Sequence, residues 1–200
     1  MKRQSYEANS KTQVKKCYIC EGCARRREGY FAGVNLYILR HGIAVDRGTL
    51  GFKTDADRPL TPKGKRQLRQ IAEAMENMDV QFSLILSSPF VRARQTAEIV
   101  AKTLKLKKRL AFSDELTPAG DPKILIRQLN ELKPASENVL LVGHEPYLSR
   151  FISQLISGDP DMGIDFKKGG LCKLETGMLR FGRCATLAWL LTPRQMKLMV

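Results

Sequence analysis

Short apolar runs alternate with segments of helical periodicity over most of the chain, from Val34 onward. The first run, VNLYIL at 34–39, is continuous and partly β-branched, as in a strand buried on both faces. Thr61 and Pro62 form an N-cap and first-turn pair, and apolar side chains recur behind them every three or four residues. By these criteria strands are predicted at 34–39, 82–88, 138–143, 170–175 and 185–191, and helices at 62–78, 89–104, near 121–133 and around 146–156.

This order of elements predicts an α/β fold. Strands that alternate with helices form a mostly parallel central sheet with helices on both faces, a three-layer sandwich. The last two strand-like runs are joined by the short GMLRFGR turn region, which predicts an antiparallel pair at the sheet edge. Residues 41–60, between the first strand and the first helix, have no helical period, and loops of this length are usually functional or disordered.

Residues 1–33 differ from the rest because they lack apolar periodicity and hold eight Lys/Arg against three Glu. We interpret them as a flexible basic extension or a mis-assigned start, with one folded domain at 34–200. The extension has no apolar core of a secretory signal. The whole chain has five cysteines, an odd number, which favours reduced thiols. The expected location is therefore the cytoplasm.

Composition narrows the function classes. Hydrophobic residues make up 43% and charged residues 27%, typical of a globular chain, and no apolar run approaches the roughly 18–20 residues of a membrane helix. The net charge of +14 suits a nucleic-acid binder, an anion-binding enzyme or a protein drawn to acidic surfaces. No recognition helix, zinc finger or RNA-binding sheet motif is present, which disfavours nucleic acid.

The cysteines offer one candidate metal motif. Cys17, Cys20 and Cys23 form CxxCxxC, but Arg27 stands where a cluster run would have its fourth cysteine, and no histidine is nearby. We therefore predict no metal there, and whether these thiols bind anything stays open. Cys172 and Cys184 lie in or beside strand-like runs and are expected to be small core residues.

The two histidines of the chain both follow predicted strands. His41 comes directly after the first strand, within Arg40-His41-Gly42, and His144 directly after a later one, within GHEP. Ligands of open parallel sheets bind outside the carboxyl ends of the strands, so both rings could meet over one crevice. Each could instead hydrogen-bond only its own turn.

Arginines stand in similar settings: Arg40, Arg58 in the loop, and Arg92 with Arg94 after the SSP turn. Arginine grips a phosphoryl group through two parallel hydrogen bonds and stays charged, so phosphate is the natural ligand. Helix phase does not choose between Arg92 and Arg94, and solvated surface charges are the alternative interpretation.

Taken in this order and at these strand ends, RHG, SSPFVRARQTAEI and GHEP resemble the histidine phosphatase superfamily. DRPLTPKGKRQ, DELTPAGDP and the small domain resemble its SixA-type phosphohistidine phosphatases. The resemblance covers Val34 to the C-terminus and implies the phosphoglycerate mutase-like form of the predicted sandwich.

The resemblance implies that His41 is the nucleophile that forms a phosphohistidine intermediate, which water then hydrolyses. It implies that Arg40, Arg92 and His144 stabilise the transferring phosphoryl group, with Arg58 as a further phosphate contact. It implies no metal and no cofactor. The expected substrate is a phosphohistidine protein, such as a phosphorelay or phosphotransfer domain.

Larger members of the superfamily use an acid to protonate an alkoxide leaving group, and Glu115 is the nearest candidate here. Phosphohistidine leaves as an imidazole and needs little acid help, so Glu115 could instead orient its loop. Two other functions stay open at this point. One is a small-molecule phosphatase of the same superfamily, and the other is a non-catalytic module that binds phosphorylated or acidic partners.

Overall fold

The side chains of the first strand alternate between two hydrophobic clusters. Leu36 and Ile38 pack in one cluster, and Tyr37 and Leu39 pack in the other. Successive side chains of a strand point to opposite faces, so a continuous apolar run requires a cover on each face. The computed structural model describes residues 33–131 and 138–200, and in this part of the chain helices supply both covers.

The helices and strands follow the predicted order with two additions, a short strand at Leu110–Phe112 and a short helix at Pro193–Met196. The strands are β1 (Val34–Arg40), β2 (Leu84–Ser87), β3 (Leu110–Phe112), β4 (Asn138–Gly143), β5 (Leu171–Thr176) and β6 (Ala185–Leu191). The helices are α1 (Pro62–Asn77), α2 (Val91–Thr103), α3 (Pro122–Glu131), α4 (Tyr147–Ser157) and the short α5 (Pro193–Met196). Four single turns of 3-10 helix lie at Asp55–Asp57, Lys107–Arg109, Asp114–Leu116 and Lys197–Met199.

The strands form one mixed sheet in the order β3-β2-β4-β1-β5-β6. The pairings β1–β4, β2–β4 and β2–β3 are parallel, whereas β5 pairs with both β1 and β6 in the antiparallel sense. The predicted mostly parallel sheet with an antiparallel edge is confirmed.

Helices cover the two faces of this sheet. On one face, α3 and α4 pack through Leu125, Phe151 and Leu155. On the other, α1 and α2 pack through Leu68, Met75 and Val100. The predicted three-layer sandwich is therefore confirmed, with each buried face of the sheet meeting the apolar face of amphipathic helices.

The start of α1 is fixed by a cap and by a close approach. The Thr61 side chain accepts a hydrogen bond from the Gly64 amide at 3.0 Å, and the Thr61 amide donates to the Ile43 carbonyl at 2.9 Å. A Cβ on Gly64 would clash with the Ile43 carbonyl oxygen, so glycine is needed where the helix meets the loop. These contacts tie the long loop after β1 to the start of α1.

Strand β3 was not predicted, because its three residues are partly or fully exposed and too few to show a period. Helix α5 was not predicted either, because four residues are too few to show a period. The other differences are shifts of one or two residues at the ends of elements, which sequence patterns do not fix. Cys172 is buried and Cys184 is half-buried against the same cluster, and both thiols are free, as expected of small core residues.

Some predictions fall outside the described residues. They include the basic extension at 1–33, apart from Gly33, with its Cys17, Cys20 and Cys23, and the predicted helical end at 132–133. Within residues 33–131 and 138–200, no helix has the length and hydropathy to cross a membrane. In the same residues no cluster of three or more His, Cys, Asp or Glu side chains could hold a metal ion.

Candidate active site

The parallel pairing of β1 with β4 brings the two histidines together. Arg40 lies opposite Gly143 in that register, so His41 and His144 leave neighbouring strands at the same level. The His41 amide also donates to the Gly143 carbonyl at 3.1 Å. As a result the two imidazole centroids lie 5.0 Å apart, and both rings are almost fully buried.

The surroundings of His41 fix which ring nitrogen carries the proton. Nδ1 lies 2.8 Å from the Gly42 carbonyl oxygen, which can only accept, so Nδ1 carries the proton. Nε2 accepts a hydrogen bond from Arg92 Nε at 3.2 Å, so its lone pair faces that guanidinium. Burial, assisted by the charges of Arg92 and Arg40, lowers the pKa of His41 to about 3. The ring is therefore neutral at pH 7.

Gly42 lets the chain pass close to α1 directly after the histidine. A Cβ at this position would lie 2.6 Å from Cδ1 of Leu68 and 3.3 Å from Leu60. The Gly42 amide donates to Thr96 Oγ1 at 3.2 Å, which ties the segment to α2. A side chain here would force the Leu68 and Leu60 side chains to move.

His144 is held by the segment between β2 and α2. Its Nε2 lies 2.8 Å from Ser88 Oγ, and its ring centroid lies 5.1 Å from that of Phe90. Nδ1 is buried and has no hydrogen-bond partner among the described residues. Burial, with the nearby His41, lowers the pKa of His144 to about 2, so this ring is neutral as well. Ser88 was not singled out in the sequence, because SSP indicates only a turn.

Arg92 and Arg94 have different surroundings. Arg92 is 2% exposed and bonds His41, whereas Arg94 is exposed and forms only a long 3.8 Å pair with Glu98, four residues along α2. The guanidinium of Arg92 also lies 5.4 Å from the Phe90 ring centroid. These contacts therefore favour Arg92 over Arg94 as the candidate for binding phosphate, a choice that helix phase left open.

Arg40 and Arg58 each bond a backbone carbonyl. Arg40 donates to the Phe166 carbonyl at 2.5 Å, and its Nε is buried without a partner among the described residues. Arg58 donates to the Val45 carbonyl at 2.5 Å. The described contacts do not include one from Arg40 or Arg58 to either histidine, but the Arg40 charge contributes to the low pKa of His41.

Asp55 forms ion pairs with three arginines. Its Oδ2 accepts from Arg92 Nη2 at 2.7 Å, and its Oδ1 accepts from Arg58 Nη2 at 2.7 Å and from Arg47 Nε at 3.1 Å. The Asp55 backbone carbonyl accepts from Arg92 Nη1 at 2.5 Å. Although partial burial opposes ionisation, the hydrogen bonds from Arg58 and Arg92 lower the pKa of Asp55 to about 2. Asp55 is therefore an anion that orients two of the predicted phosphate-binding arginines.

We expect Asp55→Asn to lower kcat/KM about 10- to 100-fold, because misplaced guanidinium groups lose transition-state contacts worth about 1.4–2.8 kcal/mol. Steady-state kinetics with inhibition by inorganic phosphate would separate a loss of binding from a loss of rate. Asp57→Asn is the matched control, since the Asp57 carboxylate bonds Thr54 rather than an arginine. Equal losses in both variants would mean that the charge of the loop matters and the contact does not.

Glu115 is engaged outside the histidine centre. Its Oε2 accepts from the Asp121 amide at 2.6 Å, and its own amide donates to Ser113 Oγ at 3.2 Å. The described contacts do not include one from Glu115 to a histidine or arginine of the site. These bonds favour the loop-orienting interpretation, and a role as general acid stays an untested prediction.

The chain is similar to known proteins. The family model of the histidine phosphatase superfamily (branch 1) matches residues 36–116. An uncharacterized protein of Picosynechococcus sp. is 34% identical over 148 residues, which cover 74% of this chain and 88% of that protein. The phosphohistidine phosphatase SixA of Escherichia coli (strain K12) is 32% identical over 127 residues, 63% of this chain and 76% of SixA.

Among solved structures, that of the protein histidine phosphatase SixA complexed with tungstate matches with a TM-score of 0.68 and 29% sequence identity. The match covers 80% of this chain and 98% of that chain. Both the sheet and the segments that carry the two histidines therefore lie within a known architecture.

Proposed function

Since the chain belongs to the histidine phosphatase superfamily and is a phosphatase, we propose that it removes the phosphoryl group from phosphohistidine on a partner protein, such as a phosphorelay or phosphotransfer domain. The phosphoryl group passes to His41 and then to water. One observation carries the proposal: a buried, neutral His41 directs its Nε2 lone pair at the Arg92 guanidinium, 3.2 Å away. The similarity to SixA, whose name is phosphohistidine phosphatase, supports the substrate class.

In the first step Nε2 of His41 attacks phosphorus, and the bond from phosphorus to the substrate ring breaks with its electron pair leaving on that ring. Arg92 then bonds the phosphoryl oxygens through N–H groups that otherwise face Nε2 and Asp55. His144 Nδ1, buried without a partner among the described residues, is positioned to bond another oxygen. These contacts stabilise the charge that spreads over the oxygens in transit.

In the second step the proton on His41 Nδ1 makes the phosphorylated ring a better leaving group. Phosphorylation at Nε2 with Nδ1 still protonated gives a phosphoimidazolium, from which the ring leaves as neutral imidazole. The Gly42 carbonyl, 2.8 Å from Nδ1, keeps that proton in place. Water attacks phosphorus, the bond from phosphorus to Nε2 breaks, the electron pair returns to Nε2, and the proton of water passes to solvent.

The leaving group decides the substrate class. The carboxylates in segments around the site differ: arginines hold Asp55 as an anion, Glu115 accepts from the Asp121 amide, and burial raises the pKa of Glu145, which accepts from the Ser149 amide. An alkoxide leaving group needs an acid to protonate it. A phosphohistidine ring protonated on its far nitrogen leaves as neutral imidazole without that acid, so the proposed substrate depends on none of these carboxylates.

The test compares phosphate release from a phosphotransfer domain phosphorylated on histidine with release from p-nitrophenyl phosphate, both in the presence of EDTA. We expect higher kcat/KM for the phosphotransfer domain and no effect of EDTA. Fast ester hydrolysis without activity on the domain would instead identify a small-molecule phosphatase. Binding of the phosphorylated domain without turnover would identify a non-catalytic module.

A further inference from the structure

The segment at 46–54, here called the site loop, projects from the fold beside the arginines. It turns through Gly48 (φ 81°) and Gly51 (φ 99°), and a Cβ built on either glycine would meet no atom within 4 Å. Thr49 Oγ1 closes the turn by donating to the Asp46 carbonyl at 2.9 Å. The loop is therefore a shaped turn whose tip is surrounded by open space.

The tip carries apolar side chains. Leu50 is 95% exposed, the highest exposure of any large apolar side chain among the described residues, and Phe52 is 36% exposed. A lone exposed leucine is ordinary on a protein surface, but grouped apolar side chains at the rim of a site indicate a contact surface. Both line the same cavity as Asp55 and Arg58, which places them beside the proposed phosphate-binding groups.

A cavity of about 750 Å³ lies between the site loop and the rest of the domain. Its walls include Phe90, Pro118, Asp55 and Arg58. Phe90 is the residue whose ring contacts His144 and Arg92, so the cavity opens directly beside the chemical centre.

The positive charge of the domain favours an acidic partner. Lys53 is exposed and forms no ion pair within residues 33–131 and 138–200. Residues 34–200 hold 26 Lys/Arg against 17 Asp/Glu, so the domain as a whole is positive. Residues 46–58 themselves hold three Asp against three Lys/Arg, so it is the net charge of the whole domain that attracts an acidic partner and speeds its association.

Resting on the proposed function, we infer that the site loop is a docking element for an acidic phosphoprotein substrate, with Leu50 as its apolar anchor and Lys53 as a charge contact. Leu50 borders the cavity yet is 95% exposed, and a protein surface is large enough to cover this side chain together with the mouth of the cavity. The loop thus recognises the protein around the phosphohistidine, while the histidines and arginines recognise the phosphoryl group.

The test measures two variants, Leu50→Asp and Lys53→Glu, on two substrates that share the same chemistry. One substrate is a phosphotransfer domain phosphorylated on histidine, and the other is free phosphohistidine. We expect Leu50→Asp to lower kcat/KM for the domain about tenfold, through KM, and to leave free phosphohistidine unchanged. Lys53→Glu should lower kcat/KM for the domain at low salt and lose its effect at high salt.

Matched controls lie at the opposite edge of the sheet. Leu198 is 84% exposed near the C-terminus. The neighbouring Met199 carbonyl accepts a hydrogen bond from Asn77 at the end of α1. That end lies about 24 Å along the helix from the start of α1. Lys108 is exposed in the turn before β3. Leu198→Asp and Lys108→Glu should leave both substrates unchanged.

Three results would overturn the inference. They are equal losses on both substrates, no loss on either, and a loss of binding to phosphatidylserine vesicles in Leu50→Asp with an unchanged KM for the domain. Failure of the wild-type protein on both phosphohistidine substrates would refute the proposed function instead. In that case calorimetric binding of the unphosphorylated domain still tests the loop, since Leu50→Asp should weaken binding and Leu198→Asp should not.

Discussion

His41→Ala is expected to abolish phosphate release from a phosphohistidine protein, with kcat lowered by about 10⁴-fold or more. The variant removes the Nε2 lone pair, and the part of the chain that the structure describes holds no second imidazole in the same position. The ring of His144 bonds Ser88 through Nε2 and has an unpartnered Nδ1, so its surroundings differ from those of His41. Single-turnover phosphate release would measure the loss.

The fold is expected to survive that substitution, because His41 lies at the end of β1 rather than among its apolar residues. Thermal unfolding of the variant checks this directly. Added imidazole should restore part of the activity, since it can occupy the space of the missing ring and attack phosphorus. Undiminished turnover in His41→Ala would remove the proposed nucleophile.

Arg92→Ala is expected to lower kcat/KM by about 10²- to 10³-fold, equivalent to about 2.7–4 kcal/mol of transition-state stabilisation. The side chain is buried, bonds His41 and pairs with Asp55, so its loss also frees Asp55 from one partner. Arg92→Lys should recover little, because lysine keeps the charge without the planar fork that bonds two oxygens. Steady-state kinetics on all variants would show the difference.

Arg94→Ala is the control for this prediction. Its side chain is exposed and contacts only Glu98 at 3.8 Å among the described residues, a surface pair that contributes little to stability. We expect a change of less than about twofold. A large loss in Arg94→Ala with a small loss in Arg92→Ala would move the phosphate-binding position by two residues along α2.

Much of the fold was predictable because the buried parallel strands are mainly apolar runs. VNLYIL is followed by Arg40, the last residue of β1, and NVLLVG is followed by His144, the first residue after β4. The meeting of His41 with His144 followed from the rule that parallel strands end at one edge. In the structure Arg40 lies opposite Gly143, so the two strands end at the same level.

Other features depend on tertiary contacts that no local pattern encodes. Asp55 is one of three aspartates in residues 41–60, and it reaches Arg92 because an Ala44–Leu60 bridge folds the loop back toward α2. The choice between Arg92 and Arg94 depended on where α2 begins, and the helix starts at Val91 after a Phe90 cap. Strand β3 forms only because β2 offers it a partner.

The most direct test of the account is to look for the phosphoryl group on His41 during turnover. Wild-type protein is mixed with a phosphotransfer domain phosphorylated on histidine, denatured within milliseconds at alkaline pH, which preserves phosphohistidine, and analysed by mass spectrometry of its peptides. The account predicts one added phosphoryl group on His41, formed before free phosphate and absent in His41→Ala. Phosphate released at full rate with no label on His41, or with the label on another residue, would contradict it.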